Sequence, residues 1–260
     1  MIIGRLKLCF LISGLLCLAA SADVVSYFRF EGNALDETGL MDGEPLNFDG
    51  DVDYEGWSGN VFASTVPQTG QPNTGSLRFA GGSEFVDLSN NNDLSLGMNF
   101  TIEFYMNPDQ PIIGSSIFGF SPLYGLSLSL ILDVGQLEWY TQFNGQPSGA
   151  SANMVQIGQW QHVALVMQPT EYSIYINGLM QYSGGIPPAG QGNYFFPGTD
   201  NTGDRTIGGN YGTFRGYLDE FRISDTALTP DQFLCAIPEP STPGLMLLGA
   251  AGLAWRKRKK

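Results

Sequence analysis

What most limits the folds open to this chain is a rhythm. From residue 24 to residue 224, short segments alternate apolar and polar side chains with period two, and clusters of Gly, Asn, Asp or Pro close them. FTIEFYM (100 to 106) is the clearest, with Phe100, Ile102, Phe104 and Met106 on one side and Thr101, Glu103 and Tyr105 on the other. Successive side chains of a strand point to opposite faces, so this spacing predicts a β-strand with one face buried. VVSYFRF (24 to 30) reads the same way, with Phe28 and Phe30 on one face, and SLRFAGGSEFVDL (76 to 88) reads as two short strands across Gly81-Gly82. LSLSLILDV and LEWYTQF form a predicted hairpin across Gly135-Gln136. WQHVALVM (160 to 167) follows, then YSIYINGLMQYS (172 to 183), whose Asn177-Gly178 is the strongest short hairpin signal. RTIGG (205 to 209) and GYLDEFRIS (216 to 224) come last. With no amphipathic helix of useful length, the expected class is all-β, an antiparallel β-sandwich of the jelly-roll kind.

The two ends obey a different logic. Arg5 and Lys7 precede the apolar run Leu8 to Leu18, and Ala20-Ser21-Ala22 supplies the small-x-small site that signal peptidase needs. Residues 1–22 are therefore expected to be a signal peptide cut after Ala22, with Ala20 in the other small position. Cys17 follows Gly14-Leu15-Leu16 and lacks the small residue expected before a lipidated cysteine. At the other end stand IPEP (237 to 240), the apolar run GLMLLGAAGLAW (244 to 255) and the cations Arg256, Lys257, Arg258, Lys259 and Lys260. Such a basic terminus stays with the cytoplasmic leaflet. Twelve residues make roughly 18 Å of helix against the ~30 Å of a bilayer core, so 244–255 is expected to be a short hydrophobic helix that anchors weakly. Residues 23–236 would then be translocated as one domain, tethered for a time to the inner membrane.

Pro238-Glu239-Pro240, the apolar segment and the Arg/Lys terminus, in that order, resemble the PEP-CTERM sorting signal of exported bacterial envelope proteins. The resemblance implies cleavage near Pro238, Glu239 and Pro240 by an exosortase-type protease. It also implies an association with extracellular polysaccharide.

Charge narrows the partners of the middle. Its only bases are Arg29, Arg78, Arg205, Arg215 and Arg222, set against 24 of the chain's 25 acidic residues, and it contains no lysine. A surface this acidic repels polyphosphates, which argues against nucleic acid and leaves divalent cations and neutral ligands. Cys235 is the one cysteine outside the leader, so no internal disulfide forms there and stability must come from a core. Its side chain reads as a small apolar group or as a reactive thiol.

Catalytic constellations are sparse. His162 is the only histidine, which excludes two-histidine zinc sites. It reads as a half-buried strand residue bonded to a neighbouring loop, and neither a nucleophile elbow nor a phosphate loop accompanies it. Glycan hydrolysis needs paired carboxylates, yet Glu103 and Glu138 each stand alone in their strands. Strict alternation in GYLDEFRIS puts Tyr217, Asp219, Phe221 and Ile223 on one face and Leu218, Glu220 and Arg222 on the other, so Asp219 and Glu220 would not share a substrate. It also turns Asp219 inward, where a carboxylate needs Arg, N–H groups or a cation. Two readings stand: Asp219 meets a cation such as calcium, or it caps backbone amides. In GNYFFPGTDNTGDR (192 to 205), Tyr194 and Phe195 lie near Asp200 and Asn201, a set that either stacks on and hydrogen-bonds a sugar or folds back on the sandwich edge.

Five segments in order resemble the laminin-G-like jelly roll of the concanavalin A-like lectin/glucanase superfamily. They are YFRFEGNALDETG (27 to 39), SLRFAGGSEFVDL, FTIEFYMNP, QWQHVALVMQPTEYSIYINGLM (159 to 180) and TIGGNYGTFRGYLDEFRISDTALTPDQF (206 to 233). The resemblance implies two stacked antiparallel sheets, adjacent first and last strands, which would let Asp36 share a structural calcium with Asp219, frequent calcium binding, and a role in binding or adhesion. The expectation is a non-catalytic, exported, envelope-sorted module that binds carbohydrate or matrix. A divergent glycoside hydrolase and a purely structural surface protein are the alternatives.

Overall fold

A computed structural model of the chain describes residues 24–48, 56–82, 84–88, 99–109, 115–120, 128–133, 136–141, 146–150, 155–185, 205–208 and 214–235. The expected leader with Ala20 and Ala22, the tail from Pro238 to Lys260, and Tyr194, Phe195, Asp200 and Asn201 lie outside them.

Two antiparallel sheets make a sandwich, as the alternation predicts. The first contains β1 (Val24–Phe28), β3 (Trp57–Ser58), β4 (Ser76–Ala80), β6 (Phe100–Pro108), β11 (Gln161–Met167), β12 (Glu171–Ile176), β13 (Leu179–Gly185) and β15 (Arg215–Ser224). Its order is β13-β12-β11-β6-β15-β4-β3. β15 is long enough to hold β4 along its first half and β1 along its second, which makes the first and last strands neighbours. The second sheet runs β10 (Gln146–Ala150), β9 (Gln136–Thr141), β8 (Leu128–Asp133), β7 (Ser115–Phe120), β14 (Arg205–Ile207), β5 (Phe85–Asp87), β2 (Glu44–Leu46).

The core lies where the period-two pattern puts it. Phe100, Ile102, Phe104 and Met106 of β6 are fully buried between the sheets. Phe104 stacks on Phe221 of β15 at 5.5 Å and meets Phe118 of the opposite sheet edge-on at 6.0 Å. Burial of each such ring contributes about 2 kcal/mol or more. Strand β1 ends at Phe28, yet Phe30 reaches the same core because its backbone turns to φ 55°, and the two rings stack at 6.3 Å. The Asn177-Gly178 signal is realised as the β12–β13 turn, with φ of 52° and 74° at its two residues. Glycine carries such a conformation without a Cβ penalty.

Strict alternation fails in β15, and there it matters for function. Asp219 pairs with Tyr105 and Arg222 with Glu103, so Glu220 and Phe221 of β15 lie opposite the single Phe104 of β6. This is a β-bulge, with Glu220 at φ 50°. Leu218 before it and Phe221 and Ile223 after it all face the core. Asp219 and Glu220 therefore both leave on the other face, together with Arg222. The expectations that Asp219 points inward with Phe221, and that Asp219 and Glu220 face opposite ways, are corrected by this single inserted residue.

The outer face of the first sheet is not open to solvent there. Residues between β3 and β4, and those after β15, lie across it. Phe62 stacks on Tyr105 at 3.5 Å, and Val66, Phe233 and Leu234 are fully buried. A 3-10 turn at Pro230–Gln232 shapes the second cover segment, and the Gln68 amide donates to the Leu234 carbonyl where the two covers meet. This explains why all nine residues of β6 are buried on both faces. Among the described residues, no helix is long and apolar enough to cross a membrane.

Candidate functional site

Polar and ionisable side chains collect on that covered face. At the centre is Glu103 of β6, with 1% exposure. Its Oε1 accepts Nε of Arg222 at 2.7 Å and also Nη2. Its Oε2 lies 2.8 Å from Nε2 of His162 and accepts the Leu234 N–H at 2.8 Å. An ionised carboxylate only accepts, so the His162 Nε2 carries the proton in this contact. Burial alone pushes the Glu103 carboxyl up, but the His162 hydrogen bond and the Arg222 charge, helped by the Leu234 N–H, hold it below the usual glutamate range. His162 is thus wholly buried, its ring bonded to Glu103 rather than half-buried against a loop; its backbone reaches the neighbouring turn, the N–H donating to Asn177 Oδ1 at 2.9 Å and the carbonyl accepting the Asn177 N–H at 2.8 Å.

One strand over, the bulge sets up two further groups. Glu220, fully buried, accepts the Tyr27 hydroxyl on Oε2 and Arg29 on Oε1 at 3.1 and 3.2 Å. Burial still raises its carboxyl above the ordinary value despite those partners. The side-chain partner of Asp219 is Asn73, whose Nδ2 donates to Oδ2 at 2.9 Å. Its Oδ1 and the Asn73 Oδ1 are buried without hydrogen-bond partners. Burial pushes the Asp219 carboxyl up to about 9, so it is held neutral at physiological pH.

Asp36 and Asp219 are not brought together as ligands of one ion. Asp36 organises its own loop: its oxygens accept the N–H groups of Tyr27, Thr38 and Met41 and the hydroxyls of Ser26 and Thr38 at 2.7–3.0 Å. A cation needs oxygen acceptors, six to eight for calcium, whereas the groups bonded to the Asp36 carboxylate are N–H and O–H donors. These residues do not fit a shared calcium. Among the described residues, no group of three or more His, Cys, Asp or Glu is placed to hold a metal ion. Asp36 caps three backbone amides, while Asp219 accepts the side-chain amide of Asn73 and the backbone N–H of Glu220.

Cys235 sits at the end of the cover, free and half-buried, against the clusters containing Phe233, Tyr105 and Leu234. Burial pushes its thiol up to about 12, which suits a small apolar group and not a nucleophile.

The face thus carries three carboxylates, yet Glu103, Asp219 and Glu220 each have at most 1% exposure. A glycosidase pair must flank its substrate bond, and no sugar reaches between groups enclosed this way. The network ties together residues more than a hundred positions apart and locks the cover to the sheet.

With this architecture in view, a profile of the concanavalin A-like lectin/glucanases superfamily matches residues 80–233. The chain belongs to that superfamily. Residues 236–259 match the PEP-CTERM protein-sorting motif, immediately after the cover segment ends. No curated protein sequence matches. Among solved structures, domain 4 of AbnA, a GH43 extracellular arabinanase from Geobacillus stearothermophilus, in complex with arabinotriose, superposes with a TM-score of 0.60 at 21% identity. The match covers 83% of this chain and 99% of that one. The receptor binding domain of botulinum neurotoxin D gives 0.53 at 18% identity, covering 80% of this chain and 50% of the toxin domain. That of the botulinum neurotoxin C/D mosaic serotype gives 0.54 at 17%, covering 80% and 49%. This superfamily member therefore spans about half the length of the toxin domains. At these identities the likeness shows the fold.

Proposed function

We propose that this chain is an exported, envelope-sorted binding module of the concanavalin A-like superfamily, with carbohydrate of the cell surface or extracellular matrix as its ligand class and no hydrolytic activity. The observation that carries this reading is the enclosure of Glu103, Asp219 and Glu220 by internal partners, which makes the carboxylates of this sheet face part of the scaffold. A domain of closely similar extent, from the arabinanase, is described with arabinotriose bound, which supports a sugar ligand. The sorting motif supports export with residues 1–22 as leader, passage through an inner-membrane stage held by Arg256, Lys257, Arg258, Lys259 and Lys260, and processing near Pro238-Glu239-Pro240. Signal peptidase, the secretion machinery and an exosortase-type protease are the partners of that route.

The test takes the protein as an exporting bacterial host releases it, fixes both ends by mass spectrometry, and applies it to a glycan array and a hydrolysis screen. Retention on glycans without products is expected. Released oligosaccharides would instead make it a hydrolase, and neither retention nor turnover would make it a structural surface protein.

A further inference from the structure

At one end of the first sheet's outer face, four side chains line up across four adjacent strands. Gln161 pairs with Met106, so Trp160 takes the register position beside Asn107. Asn107 pairs with Tyr217, and Tyr217 with Arg78. Strands lie about 4.8 Å apart, so the row runs roughly 14 Å from Trp160 to Arg78. The approach of backbones here requires Gly216, next to Tyr217: at φ 142° a Cβ would lie 2.8 Å from the Pro108 Cα.

The row is only partly covered. Trp160 and Tyr217 are half-buried, with ring centroids 6.1 Å apart and planes tilted by 48°. Phe62 closes one side, edge-on to Trp160 at 6.2 Å. Polar groups edge the rings: Trp160 Nε1 donates to Asn60 Oδ1 at 3.2 Å, and Arg78 donates to the Tyr217 hydroxyl at 2.6 Å and to Asp109 at 2.9 Å. Arg78 also lies over the Tyr217 ring at 5.0 Å. At the register position between Trp160 and Tyr217 is Asn107, 8% exposed, whose Oδ1 is buried without a hydrogen-bond partner. A buried acceptor left unmet costs on the order of 1–3 kcal/mol, and a ligand hydroxyl is the kind of donor that removes the cost.

We infer that the row Trp160, Asn107, Tyr217 and Arg78 is the platform on which this protein binds a neutral oligosaccharide of two to three rings. This rests on the binding reading above and places its site. Flat apolar rings suit the C–H faces of sugars, and the Asn107 and Asp109 acceptors with the Arg78 donor suit hydroxyls, which play both roles. Asp109 pairs with Arg78 and also lies 3.7 Å from Arg215, and the domain around this small cluster is strongly acidic, with 24 acidic residues against five arginines, which disfavours a polyanion and leaves an uncharged chain.

The exported, processed protein and its variants are applied to an array that includes arabinotriose, cellotriose and a galacturonate trimer. Wild type is expected to retain neutral glycans, with Trp160→Ala and Tyr217→Ala each weakening the best of them about tenfold and Arg78→Gln weakening it less. Thermal melting of each variant shows whether it is folded; where an alanine variant is not, Trp160→Phe keeps the packing and must lose the tryptophan emission change that the retained glycan causes in wild type. If wild type retains no glycan, the binding reading itself falls. Equal retention by wild type and folded Trp160 and Tyr217 variants overturns the placement alone, as does loss confined to Tyr194→Ala and Phe195→Ala. Retention of the galacturonate trimer only overturns the ligand class.

Discussion

Asp219→Asn should stabilise this protein, and by an amount that grows with pH. Burial raises the folded-state carboxyl from its ordinary value of 3.8 to about 9. Between those values the folded chain holds a proton that the unfolded chain has released, so stability from this group is complete below about pH 4 and is lost as pH rises toward 9. At pH 7 the unfolded side chain lies about three units above its own pKa, which at 1.36 kcal/mol per unit penalises folding by about 4 kcal/mol. Asparagine has the same shape, keeps an oxygen for Asn73 Nδ2, and does not titrate. Relaxation around the site makes 4 kcal/mol an upper figure, so a gain of about 2–4 kcal/mol at pH 7 is expected, or roughly 5–15 °C in Tm for a domain of this size. Near pH 4 the two proteins should agree within about 0.5 kcal/mol. Denaturant unfolding of both at pH 4, 5.5, 7 and 8.5 measures this; Glu103 and Glu220 titrate in both proteins, so the difference isolates Asp219. A gap that stays constant from pH 4 to 8.5, or an asparagine variant less stable than wild type at pH 8.5, would refute the placement of a neutral carboxyl there.

Glu103→Ala should cost about 3–5 kcal/mol, because Arg222 is left buried without its counter-ion and the His162 ring N–H and the Leu234 N–H lose their acceptor; faster protease cleavage within residues 225–235 should accompany the lower melting temperature, and unchanged protection of that segment would show that Glu103 does not fasten it. Phe221→Ala should cost about 3–5 kcal/mol through the cavity left between Phe104, Phe118 and Phe28, and a calorimetric loss under 1 kcal/mol would mean these rings are not packed as described.

Much of this fold was legible in the sequence because a strand records its own burial locally. FTIEFYM, WQHVALVM and YSIYING show which side chains face the core, and Asn177-Gly178 marks its own turn, so β6, β11 and the β12–β13 hairpin follow from neighbours two to four residues apart. The short edge strands β2, β3 and β10 were not legible, since two to five residues such as EPL, WS and QPSGA carry no period. The polar face was legible only in part. Glu103 and Asp219 stand out as carboxylates in apolar strands, but their partners Arg222, His162 and Asn73 lie 119, 59 and 146 positions away.

The chain's local chemistry settled that it would be an acidic all-β sandwich with a sorting motif over residues 236–259. Tertiary structure decided what the polar residues became. One extra residue in β15 sent Asp219 and Glu220 to the same face, because register between strands is set by pairing and not by the strand's own alternation. The cover then enclosed that face, turning exposed-looking Glu103, His162 and Arg222 into a buried lock, and left Trp160 and Tyr217 half open beside an unmet Asn107 oxygen. Burial and long-range pairing are properties of segments meeting in space, and no window of sequence contains both partners.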